Sequence, residues 1–272
     1  MIKTTDALKR LVIDIETSAH LLSTWGLFNQ NIGINQIEDP TRMLSFAAKW
    51  VDNPRVAFYS EFHHGRDAMV EAAFDLVSEA DAIIHYNGKG FDMKHLNREF
   101  VEHDVRLAQA QKIFPEQPGV FEPRMLGRPS PYHHIDMLSV VRANFKLASN
   151  KLDYVAGPNF LNIGNKVKHP GFNLWRACME GNAKAWSLMR RYNKGDVVLT
   201  EEVYRRLLPW IDGHPNMQLY TGEQGVCPQC GSSRIQKRGT RKTLLGEYQQ
   251  IWCRDCGSWG RNGKSLFRAD ER

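Results

Sequence analysis

Apolar positions fall in short continuous runs and in stretches of helical spacing, and the first run is the most informative. Leu11-Val-Ile-Asp-Ile-Glu-Thr17 is apolar except at Asp14, Glu16 and the final threonine, so it reads as a buried strand. Strand-like runs follow at 43–51 and 56–62, separated by Asp52-Asn-Pro-Arg55. That spacing predicts an antiparallel meander of the first three strands. Residues 67–80 place Met69, Val70, Ala73, Phe74 and Val77 at a helical period. Ala82-Ile-Ile-His-Tyr86 is another short strand. The Gly-rich turn Asn87-Gly-Lys-Gly90 then leads through Phe91-Asp92 into a helix expected to end near Val101. Five of the twelve prolines fall within 109–134, which predicts an irregular excursion. Order resumes with a strand end and helix start at 135–141 and helical stretches at 151–155 and 174–204. Pro209 and Asp212-Gly-His-Pro215 close the domain. A meander followed by β-α alternation indicates an α/β or α+β layered domain, taken as α/β over residues 1–215, with a small module at 216–272.

Composition sharpens this picture in two places. No apolar run approaches the roughly 18 residues needed to cross a membrane. Met1-Ile-Lys-Thr-Thr-Asp6 lacks an apolar signal core, so the expectation is a cytoplasmic protein with no membrane partner. The net charge of +6 is confined to the tail: residues 226–272 hold ten Lys/Arg and four Asp/Glu, leaving 26 of each sign in the first 225. A small basic module points to a polyanionic partner.

Alternation along the first strand turns Asp14 and Glu16 to one face and Ile13 and Ile15 to the other. Paired carboxylates at the end of an apolar strand mark either a divalent-metal site or a strand running out into solvent. Asp92, at a helix start, is a metal ligand or a first-turn acid favoured by the helix dipole. Tyr192-Asn-Lys-Gly-Asp196 opens the last long helical stretch, with Tyr192 and Asp196 four apart on one face. Asp196 is there either a ligand or an exposed acid beside a core tyrosine.

The ordered set resembles the DEDD (DnaQ-like) 3′–5′ exonucleases, whose fold is ribonuclease H-like. Asp14-Ile-Glu16 matches their first motif, Asn87 with Phe91-Asp92 the second, and Tyr192 with Asp196 the third, over about residues 8–210. His134-Ile-Asp136-Met-Leu and Lys151-Leu-Asp-Tyr also look like the family's segment between motifs two and three. Arg191 stands where the histidine subclass has its His, so the resemblance is to the tyrosine subclass.

The resemblance implies a mixed sheet with flanking helices and hydrolysis of phosphodiester bonds through two Mg²⁺ or Mn²⁺ ions. Asp14 would bridge the ions, Glu16 and Asp196 would complete the site that activates water, and Asp92 would support the second ion. Hard cations suit a set of carboxylates without His or Cys. Tyr192 would orient the attacking water, since a phenol with a pKa near 10 is a poor base at neutral pH. The implied substrate is nucleic acid, DNA favoured over RNA and single-stranded, with room for a polymerase or repair partner. Other readings are a structure-selective endonuclease and a non-catalytic nucleic-acid-binding adaptor.

Asn87 and Phe91 are candidate nucleic-acid contacts; Phe91 divides evenly between base stacking and core packing, while Trp25 and Phe28 read rather as core. His63-His64 and His133-His134 read as surface loop residues. Asp136 is either a carboxylate supporting the site or a strand-end acid in solvent, and Cys178 is a small core residue. In the tail, Cys227-Pro-Gln-Cys230-Gly and Cys253-Arg-Asp-Cys256-Gly have the spacing of a tetrahedral structural Zn²⁺ site, with a redox pair as the alternative. The segment resembles a zinc ribbon with strands near 234–239 and 248–252. Arg234, Lys237, Arg238, Arg241 and Lys242, with Trp252 among them, suit phosphate contact and base stacking.

Overall fold

The computed structural model describes residues 8–28, 31–110 and 130–270, the side chains of 109 and 110 excepted. The chain begins with β1 (Arg10–Thr17), a short pair β2 (Leu21–Leu22) and β3 (Ile37–Asp39), then β4 (Met43–Trp50) and β5 (Ala57–Ser60). Helices α1 (Glu61–His64) and α2 (Arg66–Glu79), strand β6 (Ala82–His85), α3 (Asp92–Ala110) and β7 (His133–Asp136) follow. The domain is completed by α4 (Met137–Asn144), α5 (Leu152–Ala156), α6 (Phe172–Met179) and α7 (Ala183–Leu207). After α8 (Met217–Thr221) come β8 (Ile235–Lys242), β9 (Gly246–Cys253) and β10 (Trp259–Arg268).

The main sheet has the order β5-β4-β1-β6-β7. β1 pairs antiparallel with β4 and β4 with β5, as the meander predicts, whereas β1–β6 and β6–β7 are parallel. One face packs Leu11, Ile13 and Ile15 against Met69 and Val70 of α2 and Leu96 and Phe100 of α3. The other packs Val12, Ala47 and Ile84 against Val155 of α5 and Val197 and Val203 of α7. Leu11, Ile13 and Ile15 are 0%, 1% and 4% exposed. At roughly 1.5–3 kcal/mol for each such side chain, their burial pins the register of β1. A slip by one residue would drive Asp14 and Glu16 into the apolar layer under α2 and α3.

Several boundaries differ from the sequence expectation. α3 continues to Ala110 because its apolar face stays buried as far as Ala108. The stretch expected as one helix over 174–204 is two, α6 and α7. Gly181 takes φ +78° between them, and Asn182 caps α7 by accepting from the N–H groups of Lys184 and Ala185. Tyr192–Asp196 consequently lies inside α7 rather than at its opening. His63 and His64 belong to α1, which Ser60 caps, and His133 and His134 belong to β7 beside β6, so neither pair is in a loop. Trp25 and Phe28 are 98% and 82% exposed, correcting the core reading; they lie between β2 and β3, which pair with each other and not with the main sheet. Cys178 is buried as expected. Most of the proline-rich excursion, 111–129, lies outside the described residues. Among the described residues, no helix is long and apolar enough to cross a membrane.

Candidate active site

β1 carries Asp14 and Glu16 on the face turned toward α7, where carboxylate oxygens of Asp14, Glu16 and Asp196 lie within 4.8 Å of one another. Asp92 opens α3 beside them, its Oδ1 accepting the Ile15 N–H at 3.0 Å. The turn before it is tightly specified. Asn87 takes φ +71°, Gly88 donates its N–H to His85 Nδ1 at 3.0 Å, and a Cβ on Gly88 would fall 2.5 Å from the His85 ring. Asp136 accepts the Asn87 N–H at 3.0 Å and the Lys89 N–H at 3.4 Å while capping α4 through the Leu138 N–H. Its carboxylate therefore braces the turn that delivers Asp92, and is not an acid left in solvent.

Each carboxylate is oriented by a different donor. Asn193 is fully buried and donates its amide N–H to Asp14 Oδ2 at 2.6 Å, while its own Oδ1 accepts the Ser45 hydroxyl. Trp175 donates its indole N–H to Glu16 Oε2 at 3.0 Å. Lys166 Nζ reaches Asp196 Oδ2 at 2.5 Å and the Tyr192 hydroxyl at 2.9 Å. Asp196 Oδ1 is buried with no hydrogen-bond partner among the described residues. An orphaned carboxylate oxygen is costly to bury, and one aimed among like charges fits a cation.

The electrostatics agree. Burial, with repulsion from Glu16, Asp92 and Asp196, holds the Asp14 carboxyl well above the usual carboxylate range. Glu16 is pushed up to about 8 by burial and the Asp196 charge, and Asp92 to about 6 by burial. Burial also raises Asp196, with Lys166 opposing. Burial and the adjacent acids raise the Tyr192 hydroxyl, which keeps it a protonated phenol at neutral pH. For Lys166, burial works against the charge but Asp196 and Tyr192 outweigh it, so the ammonium persists. An all-oxygen donor set carrying excess negative charge suits hard divalent ions.

The cluster opens into a groove of about 1080 Å³ that runs past Asn87, Arg142, Lys151 and Lys168. Sequence reasoning missed Lys166, Asn193 and Trp175. Asn193 adjoins Tyr192, but nothing in the local pattern distinguishes the other two. Phe91 is 40% exposed and packs against His95 with ring centroids 4.6 Å apart.

In the tail, β8, β9 and β10 form a three-stranded antiparallel sheet, one strand more than expected. The four cysteine sulfurs lie within 4.8 Å of one another, with Cys227–Cys256 and Cys230–Cys253 both at 3.6 Å. A tetrahedral ion with bonds of about 2.3 Å sets its sulfurs about 3.8 Å apart, so this cluster is compatible with a zinc ribbon. Gly231 and Gly257 take φ +75° and +77°, and each donates its N–H back to the carbonyl of the first cysteine of its pair. Cys230 and Cys256 also pack against the domain core near Leu208 and Ile211. Arg238 stacks over Trp252 at 5.4 Å, Lys237, Arg241 and Lys242 are exposed, and Arg234 is paired with Asp255 at 2.5 Å.

A mixed sheet with helices on both faces and an acidic cluster beside its central strand defines a ribonuclease H-like fold. Residues 33–208 match the family model of the RNase_H superfamily, and the chain belongs to that family. The match includes Asp92, Lys166, Tyr192 and Asp196 and begins after β1. No curated protein matches the chain in sequence. The superfamily points to nuclease chemistry on nucleic acid supported by divalent metal ions.

Proposed function

We propose that this chain is a metal-dependent 3′–5′ exonuclease of the tyrosine subclass, acting on single-stranded nucleic acid, DNA before RNA. The observation that carries the reading is the convergence of Asp14, Glu16 and Asp196 oxygens within 4.8 Å, with Tyr192 on the same helix as Asp196. Asp14, Glu16 and Asp196 would hold one ion, and Asp14 with Asp92 a second. Two divalent ions, when bound, supply an activated water and relieve charge on the phosphate and the leaving 3′-oxygen.

The chain's own groups do the remaining work. Lys166 donates to the Tyr192 oxygen, and the phenol, which also hydrogen-bonds toward Asp196, would orient the attacking water beside that carboxylate. The groove with Arg142, Lys151 and Lys168 offers cationic contacts to the backbone of an incoming strand. Asn87 at its rim, and the half-exposed ring of Phe91 at the end of the same turn, suit the terminal nucleotide. We take residues 1–215 as the nuclease domain and 216–272 as a zinc ribbon whose β8 arginines and lysines, with Trp252, hold nucleic acid.

The test uses strands labelled at the 5′ end, strands blocked at the 3′ end, and circular single strands of DNA and RNA, with Mg²⁺ or Mn²⁺. A ladder shortening from the 3′ end, sparing blocked and circular strands and absent in Asp14→Ala, is expected. Cleavage of the circles would replace this reading by an endonuclease, and no cleavage of any strand by an adaptor.

A further inference from the structure

Among the described residues, Glu16 receives a single side-chain donor, and it comes from 159 residues away: the indole N–H of Trp175, 3.0 Å from Oε2. The donor is held on three sides. Leu174 and Cys178, one turn apart on α6, are buried with Leu44, Trp186 and Met189, and Trp186 donates its indole N–H to the Cys178 carbonyl at 2.9 Å. This seats α6 against α7 and turns the next position, Trp175, toward β1. The Trp175 ring meets Tyr192 edge-on at 5.8 Å and His169 edge-on at 5.0 Å, which restricts its rotation.

An indole is a donor only, with no charge and no acceptor lone pair. It can fix a carboxylate without neutralising it, whereas a lysine or arginine here would compete with a metal ion. We infer that Trp175 is a positioning residue: it holds Oε2 of Glu16 so that Oε1 is presented to a divalent cation shared with Asp14 and Asp196. This rests on the metal-site reading above. Partners of metal ligands characteristically contribute about 10–100-fold to metal affinity.

The experiment measures Mn²⁺ binding to the full chain, by the electron paramagnetic resonance signal of free Mn²⁺, for wild type, Trp175→Phe, Glu16→Gln and Asp14→Asn. Trp175→Phe keeps an aromatic ring in place and removes the donor. Its Mn²⁺ Kd should rise about tenfold or more. Cleavage lost at limiting Mn²⁺ should return at high Mn²⁺, with KM for the strand unchanged. A Trp175→Phe Kd within about twofold of wild type, while Glu16→Gln and Asp14→Asn bind weakly, overturns the inference and leaves the metal site standing. Wild-type affinity in Glu16→Gln and Asp14→Asn overturns the metal site itself, and the inference with it. Should Trp175→Phe not fold, the Trp175 indole N–H resonance of ¹⁵N-labelled wild type answers the question. It should shift on adding La³⁺, and a resonance unmoved at saturation overturns the inference.

Discussion

Replacing Glu16 by Gln should make the metal-free protein more stable while removing its response to metal. Glu16 titrates near 8 in the fold against 4.5 in an open chain, because it is buried beside Asp196. At pH 7 the unfolded carboxylate is ionised and the folded one is protonated, so folding carries a proton-uptake cost. One pKa unit is about 1.36 kcal/mol, and the interval from 4.5 to 7 makes this about 3 kcal/mol. Coulomb's law gives the same order: two unit charges at the 4.8 Å outer limit repel by about 3.5 kcal/mol at an effective dielectric constant of about 20, part of which Lys166 offsets. Glutamine keeps the shape, still accepts the Trp175 N–H through its carbonyl oxygen, and offers its own N–H to Asp14 or Asp196.

Thermal and urea unfolding in buffer without added divalent ion should therefore show Glu16→Gln ahead of wild type by about 3 kcal/mol at pH 7. That corresponds to roughly 6–12 °C in Tm for a domain of this size. The sign follows from the raised acid: the native state binds the extra proton, so wild type loses stability as pH rises from 4.5 to about 8. The advantage of glutamine should be absent below pH 4.5, grow to about pH 8 and stay level above it. Adding Mn²⁺ to 100 times its Kd should return about 2.7 kcal/mol to wild type and much less to the variant. A Glu16→Gln protein less stable than wild type without metal, or one that keeps the full Mn²⁺ response, would refute the reasoning.

On the proposed role of the phenol in orienting water, Tyr192→Phe should slow single-turnover cleavage by roughly one to two orders of magnitude without abolishing it; an unchanged rate removes that role. Stripping metal from the cysteine cluster should release one zinc per chain and open 226–270 to trypsin at Arg238 and Arg241, since so small a sheet cannot bury enough apolar surface alone; an unchanged digest would show that the ribbon folds without metal. His85 and His214 are both held down near 4 by burial and stay neutral in the fold. Their contribution is complete above pH 6.5 and is lost as pH falls toward 4, at about 1.4 kcal/mol per pH unit for each; His214→Asn should lower the measured slope by one proton, and an unaltered slope would show His214 charged in the fold. Truncation at residue 220 should weaken strand binding and flatten its salt dependence, whereas equal salt slopes would take the ribbon out of the grip.

The parts of this site legible in the sequence are those whose chemistry conflicts with their surroundings. Asp14 and Glu16 stand out because they interrupt an apolar strand, and the Cys-x-x-Cys pairs because thiols at that spacing have few other uses. Asp92 and Tyr192–Asp196 gain meaning only from their order along the chain. Asp136 stayed ambiguous because its partners, the Asn87 and Lys89 amides, belong to a turn nearly fifty residues away whose direction no local pattern records. Trp25 and Phe28 misled for a related reason: apolar character predicts burial only where a sheet or helix face exists to cover the ring.

Trp175 and Asn193 were invisible for a different reason, and it bears on how the site works. Both are neutral donors, and each contacts a carboxylate from more than 150 residues away. With the Ile15 amide they hold three of the four acids in orientation without cancelling any charge. Lys166 is the one cation bonded to the cluster among the described residues, and it lies on the Tyr192 side of Asp196. The acids are thus fixed in place and still short of positive charge, the state in which a carboxylate cluster binds a divalent ion most strongly. A sequence advertises the charges because burying them is expensive, and it conceals the neutral groups that aim them because those look like ordinary core.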